Sequence, residues 1–154
     1  MKNRLTGTDY ALLFLRMAGL YLAFGHGWGK VSGLASGNEG VINMVARLGF
    51  PMPVLFAWAA ALSEFAGGIL VGLGLFTRWA ALFAAFTLSV AVFWRHQALM
   101  VFGAWLGIIS PDEETLRAAG NPELALMFVL VMVALVILGG GQLSADHRLL
   151  NRRR

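Results

Sequence analysis

The sequence predicts an all-α protein, a transmembrane four-helix bundle with antiparallel up-down topology. Three observations carry that prediction. Of the 154 residues, 58% are hydrophobic and only 13% charged, against roughly 45–50% and about 25% in an ordinary soluble domain. Mean hydropathy is +0.72. Four stretches approach the roughly 20 apolar residues that a helix needs to cross a bilayer. A soluble chain this short must coat itself in polar groups, because small domains leave much of their surface exposed. Eight acidic and twelve basic residues do not suffice for that. The length allows one domain, taken as residues 1–154.

The first helix is expected over residues 9–31. Arg16 interrupts its apolar run and no clean small-x-small cleavage site follows, so it reads as a retained helix and not a signal peptide. The second is expected over residues 53–76, with Pro51 and Pro53 at its entry. The third covers residues 79–97. Only Thr77 and Arg78 then separate the second and third helices, which predicts a tight antiparallel hairpin. The fourth runs over residues 122–138, from Pro122 to the helix-terminating Gly139-Gly140-Gly141. Residues 32–52 read as a Gly- and Asn-rich loop. Residues 98–121 form an outer segment, apolar at first and then polar and acidic around Ser110-Pro111-Asp112-Glu113-Glu114-Thr115. Residues 142–154 form a basic tail.

Charge sets the orientation. With both termini on one side, that side holds Lys2, Arg4, Arg78, Arg148, Arg152, Arg153 and Arg154, against Lys30, Arg47, Arg95 and Arg117 on the other. Basic residues favour the cytoplasm, so both termini are expected there, in a bacterial inner membrane. The net charge of +4 therefore points to lipid headgroups and topology, not to nucleic acid. The absence of cysteine excludes disulfides, thiol catalysis, thiolate metal sites and iron–sulfur ligation.

Ionisable residues inside a span are functional candidates. Arg16 falls roughly 10 Å from the cytoplasmic edge and Glu64 roughly 16 Å from the outer edge of a core about 30 Å thick, at a rise of ~1.5 Å per residue. Matching depth predicts an Arg16–Glu64 pair, either a structural brace or a titrating site. His26 and His96 reach a similar outer depth. With Lys30 one turn after His26, and with Glu123, they make a candidate polar cluster whose bland reading is snorkelling to headgroups. Gly25, Gly29 and Gly33, with Gly68 and Gly72, carry the small-xxx-small spacing of close helix packing in lipid. They mark the first and second helices as a close pair.

Taken in order, Leu15-Arg16, Phe24-Gly25-His26-Gly27, Lys30, Ser63-Glu64-Phe65-Ala66-Gly67-Gly68, Leu73-Gly74-Leu75-Phe76-Thr77-Arg78, His96 and Gly139-Gly140-Gly141-Gln142-Leu143-Ser144-Ala145-Asp146 resemble the DoxX family along nearly the whole chain. The resemblance implies a small four-helix integral membrane protein. It also implies a link to membrane redox work, since some relatives are a thiosulfate:quinone oxidoreductase subunit or part of an oxidative-stress oxidoreductase complex. It carries Arg16, His26, Lys30, Glu64, Arg78 and His96 over as candidate functional positions. The acidic segment after Gln97 departs from the minimal family pattern and leaves room for an outer partner.

Three functions compete. In the first, the chain is a quinone-interacting membrane subunit. Glu64, His26 and His96 then act as proton-handling catalytic residues, and Arg16, Lys30, Trp28, Phe65 and Trp94 bind substrate. Tyr21 and Phe24 add ring-stacking surface. No flavin or nicotinamide fingerprint is present, so electrons come from a partner protein or a bound small molecule. In the second, the chain is a non-enzymatic anchor, assembly module or small-solute carrier, the last needing a homo-oligomer. In the third, His26 and His96 ligate a haem, against which stands the weakness of two histidines on four helices. No metal site is assigned.

Overall fold

The computed structural model describes residues 4–151, and these are helical with no strand. Lys2, Arg152, Arg153 and Arg154, on which the topology count leans, lie outside the described residues. Helix α1 (Gly7–Leu22) starts at Thr6, whose backbone N–H and hydroxyl both donate to the Asp9 carboxylate at 2.9 and 2.8 Å. It runs without a break through a π-turn, Ala23–Gly27, into α2 (Trp28–Ala35). The first helix therefore extends over residues 7–35, longer at both ends than expected. The stretch expected as a loop contains α3 (Gly40–Arg47). Val45 of α3 joins Leu34, Ala57 and Ala61 in a small apolar cluster, and that burial stabilises a segment whose Gly and Asn content reads as irregular.

Helix α4 (Pro53–Leu73) has proline in its first turn, where the missing N–H costs nothing. It ends at Gly74, which is left-handed with φ 71°. The Gly74 and Leu75 N–H groups return to the Val71 and Leu70 carbonyls, the paired bonds of a Schellman stop. The hairpin turn is thus Gly74-Leu75-Phe76. Thr77 and Arg78, expected as the connection, open α5 (Thr77–Val90). The start of α5 is capped from far along the chain, since Asp146 accepts from the Phe76 N–H (2.7 Å), the Thr77 N–H (2.9 Å) and the Thr77 hydroxyl (2.8 Å).

A second π-turn, Ala91–Arg95, follows α5. Left-handed Gln97 (φ 45°) then breaks the helix, so the apolar start of the outer segment is a separate helix, α6 (Ala98–Trp105). Helix α7 (Glu113–Ala119) is capped by Asp112, which accepts from the Thr115 N–H at 2.8 Å. Helix α8 (Glu123–Leu138) precedes the glycine run and the short α9 (Ala145–Asn151).

Helix α1 packs on α4, α4 on α5, α5 on α8, and α8 returns to α1. The seam of α5 is alanine-rich (Ala80, Ala81, Ala84, Ala85), which lets Phe128, Met132 and Leu135 of α8 fill the core. The outward surface is apolar, with Phe14, Phe83, Phe86 and Leu99 all more than half exposed. Pro53–Leu73, Thr77–Arg95 and Glu113–Leu138 are long and apolar enough to cross a membrane. The first helix is not among these three spans, and Arg16, His26 and Lys30 interrupt its apolar run.

Candidate functional site

The centre of the site is a close approach between the first helix and α4. The seam on the first helix is Gly19, Ala23 and Gly27, not the Gly25, Gly29 and Gly33 expected from spacing. A Cβ on Gly68 would lie 2.5 Å from the Gly19 carbonyl oxygen, and one on Gly27 would lie 2.5 Å from the Phe65 backbone nitrogen. Nothing lies within 4 Å of a Cβ on Gly29. The helix pair is as expected, but the seam is a different four-residue repeat, and the π-turn then rotates the part of the helix beyond it. One extra residue in a turn rotates everything beyond it by about 100° relative to a continuous α-helix.

Past that turn, Lys30 reaches Glu64. Its Nζ donates to Glu64 Oε1 at 2.5 Å. The Glu64 side chain is 3% exposed and that of Lys30 30%. This corrects the expected Arg16–Glu64 pair: the partner of Glu64 is Lys30. The acid is sealed between helices while the ammonium keeps an open side, so the pair is a charge-assisted bond with one accessible end. Aromatic rings cluster at neighbouring positions of the same helices. Phe65, next to Glu64 in sequence, packs its ring edge to face on Phe24 at 6.0 Å and against Trp28 at 5.4 Å. Phe24 and Trp28 are more than half exposed on the outward surface.

His26 sits on the same π-turn but faces elsewhere, with its ring 6.0 Å from both Tyr21 and Phe128. His96 is not with it. The His96 Nδ1 bonds the Ala119 carbonyl at 2.8 Å, and its backbone N–H closes the second π-turn on Ala91. Glu123 bonds Asn121. The expected cluster of His26, Lys30, His96 and Glu123 therefore separates, each residue having partners of its own. Similar depth does not bring side chains together when they sit on different faces.

Arg16 lies at the opposite end of α4. It is 1% exposed and donates to the Gly72 and Leu143 carbonyls at 3.4 and 3.0 Å. Its Nε is buried without a partner. Around it the segment after the glycine run folds back across the helix ends: Gln142 donates twice to Asp9, and Asp146 caps α5 as described. Sequence reading took residues 142–154 as a basic tail and missed this clasp. The signal is Ser144 and Asp146 a few residues after three glycines, which is a turn and cap pattern.

Trp94 lines a third region, a cavity of about 540 Å³ also bordered by Arg47, Arg95 and Thr115. There Arg95 Nη1 donates to the Ala118 carbonyl at 3.0 Å. Of the eight residues expected in one site, the structure pairs Lys30 with Glu64 and packs Trp28 on Phe65, along the same helix seam. It turns His26 toward Tyr21 and Phe128, and it puts Arg16, His96 and Trp94 elsewhere.

A family model described as DoxX matches residues 11–97. The chain is 34% identical over 138 residues to the inner membrane protein YphA of Escherichia coli, covering 89% of each chain. It is 29% identical over 152 residues to an uncharacterized protein of Haemophilus influenzae, covering 96% of this chain and 97% of that one. No solved structure matches it. The chain belongs to the DoxX family and is an integral membrane protein.

Proposed function

We propose that this DoxX-family protein is a quinone-interacting subunit of a membrane redox system. In this reading it lies in the inner membrane, as its inner-membrane relative supports, and spans it as an antiparallel four-helix bundle whose basic residues favour both termini in the cytoplasm. The observation that carries the proposal is the Lys30–Glu64 pair on the same helices as the ring cluster of Phe24, Phe65 and Trp28, of which Phe24 and Trp28 are more than half exposed. A substrate dissolved in lipid arrives from the side. It needs an aromatic surface for its ring and an accessible proton donor at the ring oxygen, and this region offers both.

The reaction balances as quinone plus two electrons plus two protons giving quinol. Electrons come from the redox centre of a partner protein. Lys30 delivers one proton to a quinone oxygen, and Glu64 positions its Nζ through their hydrogen bond. The second proton is drawn from water at the open side of Lys30. Protons are replenished from water.

The test is ubiquinone or menaquinone binding in nanodiscs. Wild type binds; Trp28→Leu and Lys30→Met weaken binding on the order of tenfold, and Glu64→Gln lowers quinol-linked turnover more than binding. Absence of binding by wild type sinks the proposal.

A second reading, a non-enzymatic anchor or assembly module, is favoured by the mutual engagement of Lys30 and Glu64, which ties α2 to α4 whatever else they do. The exchanged pair Lys30→Glu with Glu64→Lys separates the two. It keeps a brace, and so keeps partner capture, but moves the proton donor away from the aromatic surface and loses quinone binding.

A further inference from the structure

The cavity of about 540 Å³ near the second π-turn belongs to neither the Lys30–Glu64 site nor the Arg16 clasp. Its walls come from α3, the second π-turn, α7 and the residues joining them. Arg47, Trp94, Arg95, Thr115 and Ala118 are among its lining residues. Two arginines line one space from elements about fifty residues apart in sequence, and no acidic residue is among the lining residues. The two arginines differ in how they are held. Arg95 is fixed in place, since its Nη1 donates to the Ala118 and Ala119 carbonyls at 3.0 and 3.5 Å. Arg47 is exposed and makes no hydrogen bond or ion pair among the described residues, so its fork of donors is unspent. Like charges gathered in one cavity repel unless an anion joins them. Arginine forks match the oxygens of phosphate bidentately. Trp94, more than half exposed, supplies an apolar and polarisable wall. The volume lies in the range of sites for organic ligands, so it accommodates a phosphate ester with its organic part.

We propose that this cavity binds a phosphate ester, with Arg95 as the preset anchor and Arg47 as the closing donor. The same chemistry is presented by an anionic lipid headgroup or by a soluble organic phosphate. The proposal is independent of the quinone reading.

The experiment uses the full chain in nanodiscs of neutral phosphatidylcholine, titrated calorimetrically with glycerol 3-phosphate and, in parallel, with acetate as an anion control. A second set replaces part of the neutral lipid with phosphatidylglycerol and follows thermal unfolding. Binding of glycerol 3-phosphate identifies a soluble ligand. Stabilisation by phosphatidylglycerol alone identifies a headgroup. In either arm, Arg47→Gln weakens the response on the order of tenfold, as expected for loss of a charge-assisted bond, and Arg47→Lys restores part of it. Arg47 is exposed and unbonded, so its replacement leaves the fold intact, and helical content by circular dichroism checks this. Neither response in wild type, an acetate response equal to that of the phosphate, or an unchanged response in both Arg47→Gln and Arg95→Gln overturns the proposal.

Discussion

Glu64 shows how one residue's surroundings decide its energetics. Its carboxylate is 3% exposed and its ion-pair partner is Lys30. Removing one member of a buried pair strands the other, at a cost of about 3–5 kcal/mol when both are sealed. Lys30 keeps an open side, so we expect Glu64→Ala to cost on the order of 2–3 kcal/mol. The double variant Lys30→Met with Glu64→Met strands nothing and fills similar volume, so it is expected to lie closer to wild type than Glu64→Ala does. Thermal unfolding in detergent checks the ordering; a double variant less stable than the single one would falsify the stranded-charge account. These charges were legible in the sequence as residues that lipid would not tolerate unpaired. Their partners were not. Depth along a helix is one coordinate, and it matched Arg16 with Glu64 correctly in kind but not in fact. Arg16 instead finds the Leu143 carbonyl, 127 residues away in sequence, and no periodicity announces that loop. Lys30 reaches Glu64 across a π-turn that residue counting treats as ordinary helix.

At the scale of elements, glycine is informative only where another backbone lies against it. We expect Gly27→Ala to destabilise by about 1–3 kcal/mol through overpacking, because its Cβ meets the Phe65 backbone, which cannot step aside as a side chain can. Gly29→Ala, in open space on the same helix, is expected to stabilise by up to about 1 kcal/mol from helix propensity. Paired unfolding curves settle the contrast, and equal shifts of the same sign would contradict the seam assigned here. Spacing alone selects Gly25, Gly29 and Gly33, since the seam of Gly19, Ala23 and Gly27 is a four-residue repeat too, and only packing against α4 tells the two apart. The outer segment makes a different point. Asp112, a visible capping residue in an acidic polar stretch, does cap α7. The hydrogen bond from the Thr115 N–H, then that from the Thr115 hydroxyl, hold its carboxyl below the ordinary aspartate value of 3.8. A depressed pKa means that the cap's contribution is fully present above 3.8 and is lost as pH falls through the lower, folded-state value. We expect the Thr115 amide resonance to titrate below pH 3.8 in wild type and not in Asp112→Asn. A midpoint above that value would reverse the sign of the argument.

Taken whole, the molecule inverts the usual arrangement of a soluble protein: Asp9, Arg16 and Glu64 are buried while Phe14 is 78% and Leu99 76% exposed. That inversion was legible from composition, because a chain with so few charges cannot wet its surface and can afford to bury those it keeps only where they are bonded. What composition could not show is which loops share an end. The bonds of Gln142 to Asp9 and of Asp146 to Thr77 join the start of α1, the start of α5 and the segment after α8 at one end. The loops holding Ser36 and Ser110 leave the helices at their other ends. If the helices cross the bilayer as the quinone proposal requires, every accessible residue of one group must answer to one aqueous side, and the basic tail selects the cytoplasm for the terminal group. The chain has no native cysteine, so single substitutions report without background. Ser36→Cys and Ser110→Cys, both exposed, are expected to react with an impermeant maleimide in intact spheroplasts. Arg148→Cys is expected to react only after permeabilisation. Labelling of all three from outside would mean that the helices do not separate the two groups across the membrane. The reverse pattern would keep the bundle but invert it, placing the Lys30–Glu64 pair nearer the cytoplasmic leaflet and changing the side from which its protons are drawn.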